Sequence, residues 1–247
     1  MSEVRPPTET LPFGCHSQRS EWPWQLVLPE ARFSALRFET EALCEADLDG
    51  WDLPLPERLR TAAAKRRAEF LAGRLSARHA LAELTGSSST PAQDAERLPE
   101  WPAGTLGSIT HSRGLAAAVV ASRPNFQSVG LDAEVVMSAE RARRLAPQIL
   151  VASEQVWFDR LPAERQGDFL TLVFSLKESL FKALYPLVRE RFYFPHARLI
   201  LWDAETCAVS IELLKTLSPQ WPAGTVLRGQ VTKIDDYLLT LIAISGK

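Results

Sequence analysis

The chain has 247 residues, of which 46% are apolar, and a formal net charge of −2. That composition supports a sizeable buried core and lacks the overall basic balance by which a chain neutralises nucleic-acid phosphates. No apolar run reaches membrane-spanning length, the start shows no signal-peptide pattern, and Cys15, Cys44 and Cys207 are too few and too scattered for a disulfide framework or zinc site. The expectation is a cytoplasmic protein without a membrane or nucleic-acid partner.

Residues 1–30, rich in Pro, Ser and Trp, predict a loose tail that becomes a covering segment at Trp22-Pro23-Trp24. Residues 32–38 alternate as a strand, 41–48 read as acidic and helix-like, and Leu53-Pro54-Leu55-Pro56 punctuates the chain. A long helix is predicted over about 57–84, with Leu59, Ala63, Phe70, Leu71, Leu75, Leu81 and Leu84 on its core face. It also carries Arg58, Arg60, Lys65, Arg66, Arg67, Arg74 and Arg78 against only Glu57 and Glu69. This local positive field suits a small polyanion better than a duplex, while taken by itself it is the pattern of a solvated helix face. A polar loop over 85–96 and a stiff stretch over 97–102 lead to a strand at 107–112, a turn at Arg113-Gly114 and an apolar strand at 115–121. His111 lies beside that turn, where a histidine serves as a structural hydrogen-bonding partner or as a ligand contact.

In the second half, Asp132 and Glu134 are two apart on a predicted strand and leave one face together. Glu178 and Lys182 are four apart on a helix predicted over 167–184, ending before Pro186, and share a face as well. Such carboxylates make either a hard oxygen site for Mg²⁺ with room for phosphate, or a solvated strand edge and an ordinary helix-face pair. Helices are predicted at 138–150, capped by Ser138, and from 153 onward through Val156, Trp157 and Phe158. Strands follow at 191–194, 197–202, 208–214, 226–232 and 237–244. Trp101-Pro102-Ala103-Gly104-Thr105 recurs unchanged as Trp221-Pro222-Ala223-Gly224-Thr225, each copy ahead of a strand, turn and strand, through duplication or through shared turn chemistry.

Five pieces in this order resemble the 4′-phosphopantetheinyl transferases of the enterobactin synthase component D type. They are Lys65-Arg66-Arg67-Ala68-Glu69-Phe70-Leu71-Ala72-Gly73-Arg74, Arg97-Leu98-Pro99-Glu100-Trp101-Pro102, Gly107-Ser108-Ile109-Thr110-His111-Ser112, Gly130-Leu131-Asp132-Ala133-Glu134, and Phe174-Ser175-Leu176-Lys177-Glu178-Ser179-Leu180-Phe181-Lys182-Ala183. The resemblance, from about Phe13 to the C-terminus, implies transfer of 4′-phosphopantetheine from coenzyme A to a serine of an acyl, peptidyl or aryl carrier protein. Fatty acid or siderophore synthesis is the setting it implies. By it, Asp132, Glu134 and Glu178 hold Mg²⁺ on the pyrophosphate. Arg66, Arg74 and Arg97 contact the adenosine 3′-phosphate region, with Lys65 and Arg67 as lesser candidates, and His111 touches the coenzyme phosphates. Thr110 stands where a serine is commonest, Lys182 reaches the pyrophosphate near the reacting centre, and Lys177 joins the expected coenzyme contacts. Catalysis is expected from Glu178, Lys182 and His111, with Glu134 or a water as the alternative base. Docking of an acidic carrier is expected on Arg141, Arg143, Arg144 and the 156–158 region. Hydrolysis of the coenzyme and a non-catalytic assembly role are the minor alternatives.

The expected fold is α+β, with two similar lobes, each a long helix on a small antiparallel sheet, related by a pseudo-twofold axis. The boundary is expected between 1–125, on the adenosine side, and 126–247, on the metal side, in a monomer. A doubly wound parallel sheet is excluded because 107–114 lacks its Gly-rich phosphate turn.

Overall fold

The structure, a computed structural model, describes residues 11–48, Leu53 and 55–246. The first ten residues of the predicted tail, and Pro54 of the Leu-Pro punctuation, lie outside the described residues.

Two antiparallel sheets stack face to face, and each carries a long helix on its outer side. The first sheet has the order β1 (Cys15–Arg19), β2 (Ala31–Phe38), β6 (Leu115–Ser122), β5 (Thr105–Ser112). The second has the order β7 (Phe126–Val135), β11 (Tyr237–Ser245), β10 (Val226–Ile234), β9 (Ala208–Leu213), β8 (Ala197–Asp203). The chain passes from one sheet to the other between Ser122 and Phe126. A two-residue ladder, β3 (Ala92–Gln93) with β4 (Pro99–Glu100), stands apart as a small hairpin.

Strand alternation explains the layers. On β6, Leu115, Ala117, Val119 and Ala121 face the second sheet and pack with Phe33, Leu131, Leu239 and Leu241. On the same strand, Ala116 faces out and meets Leu71, Leu75, Ala68 and Ala72 of helix α2 (Ala64–Thr85). The predicted helix over 57–84 is broken: α1 (Glu57–Arg60) stops, and α2 restarts after Thr61 to Ala63. Arg67 secures the break by donating to Ala62 O at 2.7 Å.

Helix α3 (Ala139–Ile149) starts as expected at Ser138, whose hydroxyl accepts from Arg141 N at 3.2 Å. Helix α4 (Ala152–Arg160) leads into α5 (Ala163–Val188), the long helix of the second lobe. Helix α5 runs past Pro186 instead of ending before it. In the last turn a proline forfeits only one helical hydrogen bond, and Arg189 closes the helix in the left-handed region at φ 54°. Helix α5 lies against β7 at Gly130, where an added Cβ would stand 1.9 Å from Ser179 O and 2.6 Å from Ala183 N. Buried hydroxyls of Ser175 and Ser179 each bond Thr240 of β11, at 2.9 and 2.8 Å.

Two short readings are corrected. Residues 191–194 form no strand and lead into a 3₁₀ turn at Phe194–His196, and the 41–48 stretch yields only a 3₁₀ turn at Glu45–Leu48. The covering segment does cover: Trp24 is buried edge-on against Phe33, and Thr232 Oγ1 donates to Pro23 O at 2.8 Å, tying the segment to the second sheet.

The two lobes repeat one order, since β2–β6–β5 corresponds to β7–β11–β10. The repeated pentapeptide makes the same turn twice. Gly104 and Gly224 sit at φ 80° and 87°, while Thr105 and Thr225 each donate Oγ1 to the preceding proline carbonyl at 2.7 Å.

Candidate active site

The lobes meet along β5 and β7, each an edge strand of its own sheet. Alternate N–H groups of β7 point away from its partner β11, and hydroxyls of β5 take them. Ser108 Oγ accepts from Leu131 N at 3.0 Å, and Thr110 Oγ1 accepts from Ala133 N at 3.2 Å. Thr110 also donates to Asp132 Oδ1 at 3.3 Å, and Ser112 donates to Glu134 Oε2 at 3.4 Å. The alternation that puts Asp132 and Glu134 on one face therefore aims both at a row of hydroxyls. Asp132 is 5% exposed, and its Oδ2 is buried without a hydrogen-bond partner among the described residues.

Helix α5 brings the third carboxylate and a cation to the same place. Lys182 Nζ donates to Asp132 Oδ1 at 2.7 Å and to Leu131 O at 3.0 Å. Burial, then the neighbouring Asp132, pushes the Glu134 carboxyl up to about 7, against smaller opposing effects of Lys182, Ser112 and Arg141. Glu178 is raised in the same direction by burial and by Asp132, with Lys182 opposing. Three acids thus crowd one field with one ammonium among them. Among the described residues, no three His, Cys, Asp or Glu side chains stand as a ready-made metal cage.

A basic cluster adjoins the acids. Arg66 donates to His111 Nε2 at 2.9 Å, which leaves the ring proton on Nδ1, 3.7 Å from Glu69 Oε2. Burial, chiefly, holds His111 below its usual value; Glu69 opposes this, Arg66 and Lys182 add to it, and Asp132 opposes it again. Arg74 is buried, with its guanidinium 5.0 Å from the Phe70 ring centroid and Nη1 lacking a hydrogen-bond partner among the described residues. It is lowered to about 10 by burial and then by Arg58. Arg58 is lowered by its surroundings and then by Arg97 and Arg66. Arg58, Arg66, Arg74 and Arg97 stand close enough for their charges to act on one another, and such a group is prepared for a polyanion.

Not every expected side chain joins this cleft. Lys177 is turned into the fold: its Nζ donates to Glu154 Oε2 at 2.7 Å and to Ile149 O at 2.9 Å, with the side chain 2% exposed. Neighbours on a helix point about 100° apart, so Glu178 on the cleft face carries Lys177 away from it, and a coenzyme contact does not fit this placement. Arg67 is engaged with the α1–α2 break, and Phe158 of the expected docking region is buried core. Lys65 is exposed, its Nζ 3.9 Å from Glu69. Sequence reasoning missed Glu69 as the hub of Lys65, Arg66 and His111. Its signal was available in the i, i+3 and i, i+4 spacing to those two bases.

Comparison with known proteins agrees with this geometry. Residues 55–121 match the 4′-phosphopantetheinyl transferase N-terminal domain, and residues 128–242 match the 4′-phosphopantetheinyl transferase superfamily. The chain is 41% identical over 154 residues to enterobactin synthase component D of Salmonella typhimurium, covering 62% of each protein. It is 39% identical over 155 residues to that of Escherichia coli K12, covering 60% of this chain and 68% of the relative. To the 4′-phosphopantetheinyl transferase Svp of Streptomyces mobaraensis it is 36% identical over 163 residues, covering 64% of this chain and 65% of the relative. The Salmonella relative is therefore matched over about three fifths of its length. With both family matches falling on the two lobes that build the cleft, the chain belongs to the 4′-phosphopantetheinyl transferase superfamily.

Proposed function

We propose that this chain transfers 4′-phosphopantetheine from coenzyme A to the serine of an acyl, peptidyl or aryl carrier protein, with Mg²⁺ as cofactor. The observation that carries the reading is one cleft with two opposite fields. Arg58 and Arg74, lowered by burial and then by neighbouring arginines, stand on the first lobe, Glu134 and Glu178, raised by burial and then by Asp132, stand on the second, and His111 and Lys182 lie between them. A coenzyme with a 3′-phosphate at one end and a pyrophosphate at the other answers both fields. Residues 1–125 take the adenosine end and residues 126–247 the reacting end.

The acids fit a hard divalent cation. Asp132 Oδ2 is a buried acceptor without a partner among the described residues, and the raised Glu134 and Glu178 gain most from a positive neighbour. Asp132, Glu134 and Glu178 would hold Mg²⁺, which when bound supplies charge neutralisation for the pyrophosphate oxygens. Arg66, Arg74 and Arg97 bind the 3′-phosphate region, and Glu69 keeps Arg66 and His111 in register. Glu178 accepts the proton of the serine hydroxyl. The serine oxygen then bonds to the phosphorus bearing the pantetheine, and the bridging bond to adenosine 3′,5′-bisphosphate breaks. Lys182 and His111 stabilise the charge left on the departing phosphate.

The carrier approaches over α3 and α4, where Arg143 and Arg144 are exposed and Val156 and Trp157 are 48% and 41% exposed. Acidic carriers complement that face. No helix of the described residues is long and apolar enough to cross a membrane. Action as a cytoplasmic monomer belongs to the same proposal.

The test is intact-mass analysis of an apo carrier protein incubated with the chain, coenzyme A and Mg²⁺, beside E178Q and chelated controls. The carrier gains one phosphopantetheine group, and the gain disappears in both controls. Release of coenzyme fragments without carrier modification would replace this reading with hydrolysis.

A further inference from the structure

The β3–β4 hairpin carries Arg97 and forms a ladder separate from the main sheet of its lobe. Its ladder has two residue pairs, Ala92 with Glu100 and Gln93 with Pro99, and a hairpin of that size has negligible stability alone. Arg97 itself adopts the left-handed region at φ 71°, which a non-glycine residue keeps only when its surroundings hold it there. Part of that restraint is local: Arg97 N donates to Asp94 O at 3.0 Å, Leu98 N to Asp94 Oδ1 at 2.7 Å, and Gln93 Nε2 to Arg97 O at 2.9 Å. Arg58 bonds Gln93 from the side of the first lobe.

A further restraint crosses the cleft. Arg189 Nη1 donates to Glu96 Oε2 at 2.6 Å and lies 3.9 Å from Asp94 Oδ2, while Tyr185 OH reaches Glu96 at 3.5 Å. Arg189 and Tyr185 end α5, the helix that bears Glu178 and Lys182. Between hairpin and helix lies a cavity of about 260 Å³ lined by Asp94, Leu98, Trp101, Lys182, Tyr185 and Arg189. The clasp therefore lies beside a cavity that Arg189 and Lys182 both line.

We propose that Arg189 is a positioning residue, holding Glu96 and so the adjacent Arg97 at the distance from Lys182 that the coenzyme's 3′-phosphate and pyrophosphate require. This rests on the transferase reading above. Arg189 and Glu96 side chains are 50% and 53% exposed, so the pair adds little to global stability, and its effect is local.

The test measures binding as well as turnover. Wild type, R189A, E96R and the exchanged pair R189E/E96R are titrated calorimetrically with adenosine 3′,5′-bisphosphate and with adenosine 5′-monophosphate, and assayed with coenzyme A and 3′-dephospho-coenzyme A. R189A weakens the bisphosphate about fivefold or more, the lower range for coupling between separated groups, and leaves the monophosphate unchanged. Its KM for coenzyme A rises while kcat, carrier KM and Tm stay at wild-type values, and the exchanged pair recovers the 3′-phosphate preference. An R189A protein with the wild-type ratio of the two nucleotides overturns the proposal. A wild type that binds both nucleotides alike overturns it together with the assignment of Arg97. Absence of carrier modification with the nucleotide preference intact removes the transferase reading instead.

Discussion

Lys182 of α5 and Asp132 of β7 are joined across 2.7 Å, so the most deeply buried carboxylate of the cleft is the one in contact with its ammonium. Lys182 opposes the rise of Glu178 and is the first of the neighbours, with Ser112 and Arg141, that oppose the rise of Glu134. K182M should lower kcat by about 10²-fold or more, the usual loss when a charge-stabilising donor is removed. Tm should fall as well, because Asp132, with a side chain only 7% exposed, loses its cation, while water at the 27% exposed lysine end moderates the loss. Single-turnover transfer with saturating coenzyme checks this; a loss confined to KM would count against a role in the reacting step.

The acids make the metal-free protein pH-sensitive. Glu134 is pushed up to about 7 from 4.5, so its proton favours the folded state. That contribution is fully present below pH 4.5 and lost as pH rises through about 7, to the extent of at most about 3 kcal/mol, reduced by the water that reaches this half-buried group. Buried His79, lowered to about 4 from 6.5, acts oppositely and loses stability as pH falls between those values. The measurement is therefore a difference: urea midpoints at pH 5 and 8 in chelator, wild type against E134Q. Wild type should lose more on going to pH 8, and parallel behaviour would contradict the assignment.

Gly130 lets α5 approach β7 at backbone distance. In G130A the new methyl meets Ser179 O, which belongs to the helix backbone and cannot rotate away. The helix must shift, moving Glu178 and Lys182 against Asp132. We expect a loss of stability of about 1–3 kcal/mol and a fall in kcat larger than the change in melting would explain. Thermal melts alongside turnover at 20 °C below the variant's midpoint separate the two effects.

Lys177 and Glu154 give a contrasting case. Glu154 also accepts from Val151 N at 2.9 Å and Leu199 N at 2.7 Å, so one carboxylate joins α4, α5 and β8. K177M leaves that buried charge without its cation and should cost about 3–5 kcal/mol. At temperatures where the variant stays folded, its KM for coenzyme A should equal that of wild type. A selective rise in that KM would return Lys177 to the coenzyme.

Much of this architecture was legible because short-range patterns decide it. The Ser138 cap, the Arg113-Gly114 turn, with both residues at positive φ, and the Asp132–Glu134 alternation each follow from two or three neighbouring residues. The break at 61–63 was hidden because it rests on the Arg67 side chain, whose partner carbonyl no periodicity reveals. Lys177 was misread for a similar reason: its adjacency to Glu178 is visible in sequence, whereas Glu154 reaches it only through tertiary folding. Helix α5 outlasted the prediction because a proline in a final turn removes a single hydrogen bond.

The row of hydroxyls between β5 and β7 has a consequence for how the chain survives in a crowded solution. Each strand alone would offer an open ladder to any passing polypeptide, and their side chains shield each other instead. Separating the halves of the chain would uncover both templates at once. Ser108 and Thr110 thus guard against self-association through the same contacts that aim the acids.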